Sequence, residues 1–137
     1  MKIIILALLL PITTLFALNL SDVPIETKAG KLTVVKDSFN ENFPAKILLN
    51  GKSIKKFRER PYVYFEKNFK GKNSDIVLIS CNYGGSHTPN DFMVIELFKN
   101  ERYKVSPIVA SCHGDYKVVK SVEGLLKIDL GNCGGQT

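Results

Sequence analysis

No heptad and no longer fixed-period repeat emerges when the sequence is laid against itself, which excludes a coiled coil and a solenoid. Tryptophan is absent. Beyond the first residues no apolar run is long enough to span a bilayer. The glycine-rich loop with a lysine and following helix that would cradle a phosphate is missing, and so is any Cys-x-x-Cys or His-x-x-x-His pair at zinc-ligand spacing. No stretch shows a helical amphipathic period beyond one turn's worth at Asp37 to Phe43. At 137 residues the chain can form one domain with a real apolar core and is too short for two.

What is present begins with a secretory signal. Lys2 gives a short basic start, Ile3 to Leu10 is unbroken and apolar, and Pro11 with the following ITTLFA leads to a cut after Ala17. Leu15 is larger than the small residue favoured two positions before such a cut, so an uncleaved N-terminal anchor is the alternative. No cysteine lies near the site to accept a lipid. The expected organisation is a signal over 1–17 and a single β domain over 18–137, periplasmic or secreted, with no stable membrane span after cleavage. Removing 1–17 takes away one lysine and no acid, so the formal charge falls from +6 to +5. Outside the cytoplasm that charge favours a protein or an anionic envelope component over nucleic acid, unless it serves only solubility.

The mature chain reads as strands and turns. Leu18 to Gly30 has no clean period and reads as an irregular lead-in, after which Lys31 to Val35 alternates. Ala45 to Leu49 and Lys52 to Phe57 flank Asn50-Gly51, a pair that accepts the positive φ angles of a type I′ turn, so they form a hairpin. Lys55, Lys56, Arg58 and Arg60 charge its outgoing arm, as suits an edge strand guarded against pairing. Tyr62 to Phe65, Asp75 to Cys81, Phe92 to Phe98, Tyr103 to Ala110, Tyr116 to Val122 and Leu125 to Leu130 follow as strands, with Asp75 to Cys81 central. About eight strands without a helix predict an antiparallel sandwich or partly open barrel.

Hairpin counting places the three cysteines. With Asn100-Glu101 as a two-residue loop, Lys99 faces Arg102 and Cys112 falls opposite Pro89; with Glu123-Gly124 as the next loop, Val122 faces Leu125 and Cys133 falls opposite Gly114. Cys81, Cys112, Cys133, His87, His113 and the glycine pairs Gly84-Gly85 and Gly134-Gly135 then share one end of the sheet. The preferred consequence is a disulfide between Cys112 and Cys133. It closes a loop of about twenty residues and stabilises by roughly 3 kcal/mol, with Cys81 left as a thiol and Cys81 to Cys112 as the rival pairing.

Two chemical readings compete with that one. Cys81, Cys112, Cys133 and a histidine could bind zinc, or Cys81 could act as a nucleophile with His87 or His113 as base and the Gly84 and Gly85 amides as an oxyanion hole. No acid that would orient the base is evident, and Gly84-Gly85 also suits a plain tight turn. No cofactor or metal and no catalytic residue is therefore assigned.

The segment VLISCNYGGSHTPNDFMVIEL resembles small exported β proteins of Gram-negative bacteria that have no settled activity, in which an apolar strand ends in Cys-x-x-Gly-Gly-Ser before another strand. The resemblance covers roughly residues 74–112 and implies export and a β fold. It departs at His87-Thr88, where a second cysteine often follows in those proteins. The expected function is a binding module, for example an inhibitor or immunity-type protein acting on another envelope protein, with Asn82, Tyr83, Gly84, Gly85, Ser86, His87, Thr88 and His113 as the contact loop. The alternatives are a cysteine- or zinc-dependent envelope hydrolase and a structural envelope component.

Overall fold

A computed structural model describes residues 23–36, 45–58, 62–83, 90–111, 116–120 and 126–131. They form eleven strands: β1 (Ile25–Thr27), β2 (Gly30–Val35), β3 (Ala45–Leu49), β4 (Lys52–Phe57), β5 (Tyr62–Lys70), β6 (Ser74–Asn82), β7 (Asp91–Phe98), β8 (Arg102–Val105), β9 (Val109–Ala110), β10 (Lys117–Lys120) and β11 (Leu126–Asp129). None of the described residues is helical. The signal segment and the single turn expected within Asp37 to Phe43 lie outside the described residues.

Period-two patterning decides which faces meet. In β3 the alternation AKILL buries Ala45, Ile47 and Leu49 and turns Lys46 and Leu48 the other way. Asn50 (φ 50°) and Gly51 (φ 85°) then reverse the chain as the Asn-Gly pair requires. Strands β1 to β4 make one antiparallel sheet in sequence order, so β4 is an edge strand as its charges predict. The second sheet runs β5-β6-β7-β8, with β9 also on β7, and β6 is interior to it as expected. Leu32, Val34, Ala45, Ile47, Leu49 and Phe57 of the first sheet share one core with Val63, Val77, Ile79, Cys81, Met93, Ile95 and Leu97 of the second. The architecture is a sandwich of two antiparallel sheets, not a closed barrel.

Five expectations need correction. The lead-in contains a strand, β1, paired with β2 from Ile25↔Leu32 to Thr27↔Gly30. β5 continues to Lys70 because a bulge between Phe65 and Lys67 shifts the alternation, hiding the strand from a period-two reading. Phe98, not Lys99, faces Arg102, so the β7 to β8 loop takes in Lys99. The expected register returns at Phe92↔Val109 after Ser106-Pro107-Ile108 interrupts the strand, since Pro107 has no amide to donate. In the β10–β11 hairpin Lys117 faces Asp129 where counting gave Leu130, a slip of one residue.

Three turns gather at the pole of the sandwich remote from Cys81. Asn50 accepts from the Lys31 amide through Oδ1 (2.9 Å) and donates through Nδ2 to the Ala29 carbonyl and Glu101 Oε1 (3.2 Å each). Gly30 sits beneath it, where a Cβ would come within 2.2 Å of Asn50 Oδ1. Asn50→Ala keeps the left-handed φ without a residue suited to it and strips all three bonds. It is expected to cost about 2 kcal/mol, read as a lower denaturant midpoint at unchanged m.

Candidate functional site

Alternation along β6 turns Val77, Ile79 and Cys81 into the core and Leu78, Ser80 and Asn82 to the opposite face. Cys81 pairs with Val63 on β5 and Asp91 on β7 and is 0% exposed. A substrate therefore has no access to its sulfur, and the side chain acts as a small apolar filler. Asn82 and Tyr83 leave the core at the rim, Asn82 Nδ2 donating to Asn90 Oδ1 across the strand ends (2.7 Å). Tyr83 is 50% exposed.

Two tyrosines of β5 extend this rim. Tyr62 pairs with Asn82 and Tyr64 with Ser80, so both rings share the face that Asn82 occupies. The Lys36 ammonium, from the end of β2, lies 5.6 Å from the Tyr62 ring centre and 5.3 Å from that of Tyr64. A cation held over two rings restrains both, and Tyr62 is still 42% exposed. The rim thus offers Tyr62 and Tyr83 on a fixed frame, with the Asn82–Asn90 amide pair beside them.

The C-terminal part returns to this end. β9 pairs Ala110 with Asp91, next to the Asp91↔Cys81 pair, and Ser111 Oγ donates to the Leu130 carbonyl (3.2 Å). Tyr116 meets Phe92 edge-on, ring centres 5.6 Å apart, which seats the β10–β11 hairpin on the outer face of the second sheet. Gly84, Gly85, Ser86, His87, Thr88, Cys112, His113 and Cys133 lie outside the described residues. No disulfide occurs among the described residues, and none of their His, Cys, Asp and Glu side chains group to hold a metal ion.

The most deeply buried acid among the described residues lies at the other pole. Asp75 on β6 is 1% exposed, accepts from the Lys28 amide (2.8 Å) and pairs with Lys28 Nζ (2.9 Å) and, farther off, Lys70 Nζ (3.8 Å). Lys28 Nζ also donates to the Gly71 carbonyl. Burial alone would push the Asp75 carboxyl up, but the Lys28 hydrogen bonds and the Lys28 and Lys70 charges outweigh it and hold it below the ordinary carboxylate range. Both oxygens are engaged in tying the β1–β2 turn to the second sheet, which makes this a structural clasp. Glu66 is engaged too, accepting from Ser80 Oγ (2.6 Å).

No family model, curated protein or solved structure matches the chain.

The site must therefore be read from its own geometry. Cys81 is buried, and Asp75 and Glu66 are committed to structural bonds. The exposed parts are aromatic and amide groups suited to recognition. Asn82 and Tyr83 stand where the Cys81 strand was expected to end, whereas Lys36, Tyr62 and Asn90 were missed. The alternation of Tyr62 and Tyr64 in YVYF was the available signal, since a buried Val63 between them forces both rings outward.

Proposed function

We propose that the protein is an exported, non-catalytic β module that binds another protein of the envelope, in the manner of an inhibitor or immunity-type protein, through the Tyr62–Asn82–Tyr83 rim and the adjoining loop of Gly84 to Thr88. The observation carrying this reading is the pair of exposed tyrosines on a rigid strand end, Tyr62 being braced by Lys36. Tyrosine brings a large contact area at little cost in side-chain freedom, which is why it dominates the energetic centres of protein interfaces. His87 and His113 belong to the proposed contact surface. A Cys112 to Cys133 disulfide belongs to the same proposal; the Ser111 to Leu130 hydrogen bond, close to both in sequence, supports it.

Capture from a periplasmic extract on the immobilised protein, followed by titration of the recovered partner, tests this. Tyr62→Ala and Tyr83→Ala are each expected to weaken binding at least tenfold, that is by about 1.4 kcal/mol or more, with a smaller effect on the thermal midpoint because both side chains are about half exposed. A partner whose affinity ignores both substitutions would refute the rim as the contact. No observation favours the hydrolase reading over this one.

A further inference from the structure

The basic residues are unevenly distributed. The β3–β4 hairpin, residues 45–58, carries Lys46, Lys52, Lys55, Lys56 and Arg58. That is five of the chain's nineteen basic residues and none of its thirteen acids, so it holds +5 of the formal +6. Lys52, Lys56 and Arg58 are exposed, and none of the three forms an ion pair among the described residues. Lys46 and Lys56 stand directly opposite each other on the solvent side of the sheet.

Protection of an edge does not account for the pattern. A guarded edge needs charge on β4 alone, yet Lys46 is on β3, an interior strand of the sheet. Lys46, Lys56 and Arg58 stand on the solvent face of the sheet, while Lys52 and Lys55, paired with the core-facing Leu49 and Ile47, line its free edge. That face also lacks the features of the rim: the large exposed apolar or aromatic side chains among the described residues are Val23, Tyr62, Tyr83, Tyr103 and Val109, none of which is on β3 or β4, and Phe57 is turned into the core. Without an aromatic anchor it is poorly equipped as the centre of a protein interface, and without stacking groups it is poorly equipped for sugars. A flat array of point charges matches a flat array of anions.

We infer that the solvent face and edge of the β3–β4 hairpin dock the protein on a bilayer surface rich in anionic phospholipid, the ammonium and guanidinium groups lying among the lipid phosphates without inserting apolar side chains. Each basic residue near such a surface contributes about a fivefold gain in affinity, and the attraction fades within a Debye length, about 10 Å at 0.1 M salt and about 3 Å at 1 M. The inference is independent of the rim: a protein docked through one sheet can still present the Tyr62–Tyr83 end to a partner.

The test is co-sedimentation of the full chain with vesicles of phosphatidylglycerol and phosphatidylethanolamine, against vesicles of phosphatidylcholine alone. The triple variant Lys52→Gln, Lys56→Gln and Arg58→Gln is compared with Lys99→Gln, Lys104→Gln and Lys127→Gln, an equal loss of charge from exposed positions elsewhere. Residues 1–22 are common to every protein compared, so the differences read the hairpin alone. The hairpin variant should bind anionic vesicles roughly a hundredfold more weakly than wild type, the control should lose less than tenfold, and 1 M salt should abolish the difference. Equal losses in the two variants would show that net charge and not this face is responsible. Unchanged binding in the hairpin variant, or wild-type binding to phosphatidylcholine as tight as to the anionic vesicles, would overturn the inference. Capture by soluble polyglutamate with no preference for anionic vesicles would overturn it in favour of an acidic protein.

Discussion

Replacing Asp75 by alanine should lower the stability of the fold by about 3 kcal/mol, visible as a fall in the urea midpoint at constant m. The carboxylate is buried and makes two hydrogen bonds to Lys28, so its removal leaves the Lys28 amide without its acceptor and takes away the ion pair that ties the β1–β2 turn to the second sheet. Removing one member of a buried pair typically costs 3–5 kcal/mol, but the Lys28 side chain is 22% exposed, and its ammonium can rehydrate. The lower end of that range applies. The direction of the carboxyl's displacement adds a pH signature. Held below its ordinary value in the folded protein, Asp75 binds a proton less readily there than in the unfolded chain, whose carboxyl titrates near 3.9. Its stabilisation is therefore complete above about pH 4 and is lost as the pH falls through the lower, folded-state value. Asp75→Asn, which retains an acceptor but not the charge, should differ from wild type at pH 7, and the difference should shrink in denaturation series carried below pH 4. A difference that grew with acidity would mean that burial, and not Lys28, governs this carboxyl.

The elements that could be read from the sequence are those whose cause is local. Asn50-Gly51 demands positive φ whatever surrounds it, and the flanking AKILL alternation fixes which face turns inward, so β3 and β4 were found to the residue. The unbroken apolar run of β6 identified an interior strand for the same reason. β1 could not be found this way, because its three residues IET carry little pattern and the turn that follows is held by Asp75, 47 positions away from Lys28. A bulge hid the second half of β5, and Pro107 divided what looked like one strand into β8 and β9. The candidate site divides in the same manner. Asn82 and Tyr83 follow from where the Cys81 strand ends, but the placing of Lys36 over Tyr62 and Tyr64 joins two sheets and has no trace in either segment alone. The burial of Cys81 turned on a one-residue question of strand parity, which the ladder to Val63 and Asp91 settles.

Parity also makes β6 the place where a single truncation should do the most harm. Ile79 is 0% exposed, lies between Phe65 and Met93 in the two neighbouring ladders, and projects into the interior shared by both sheets. Leu78, one residue away, is as fully covered but projects to the opposite face, where it lines an apolar cleft of about 200 Å³ together with Phe92, Val109, Ile128 and Leu130. The two side chains contain the same number of atoms, so a difference between their alanine variants reports how far each surrounding can close. Ile79 is packed from both sheets and cannot be approached without separating them. Ile79→Ala is expected to cost about 4 kcal/mol, near the upper end for such truncations, because the cavity it leaves has nowhere to collapse. The Leu78 site already adjoins open space beneath the β10–β11 hairpin, which can settle inward or admit solvent, so Leu78→Ala should cost about 2 kcal/mol. Equilibrium denaturation of the two variants under the same conditions measures both. Equal losses would mean that the hairpin is packed as firmly on the second sheet as the first sheet is, and that stability is not concentrated in the sandwich interior as the burial of these two residues requires.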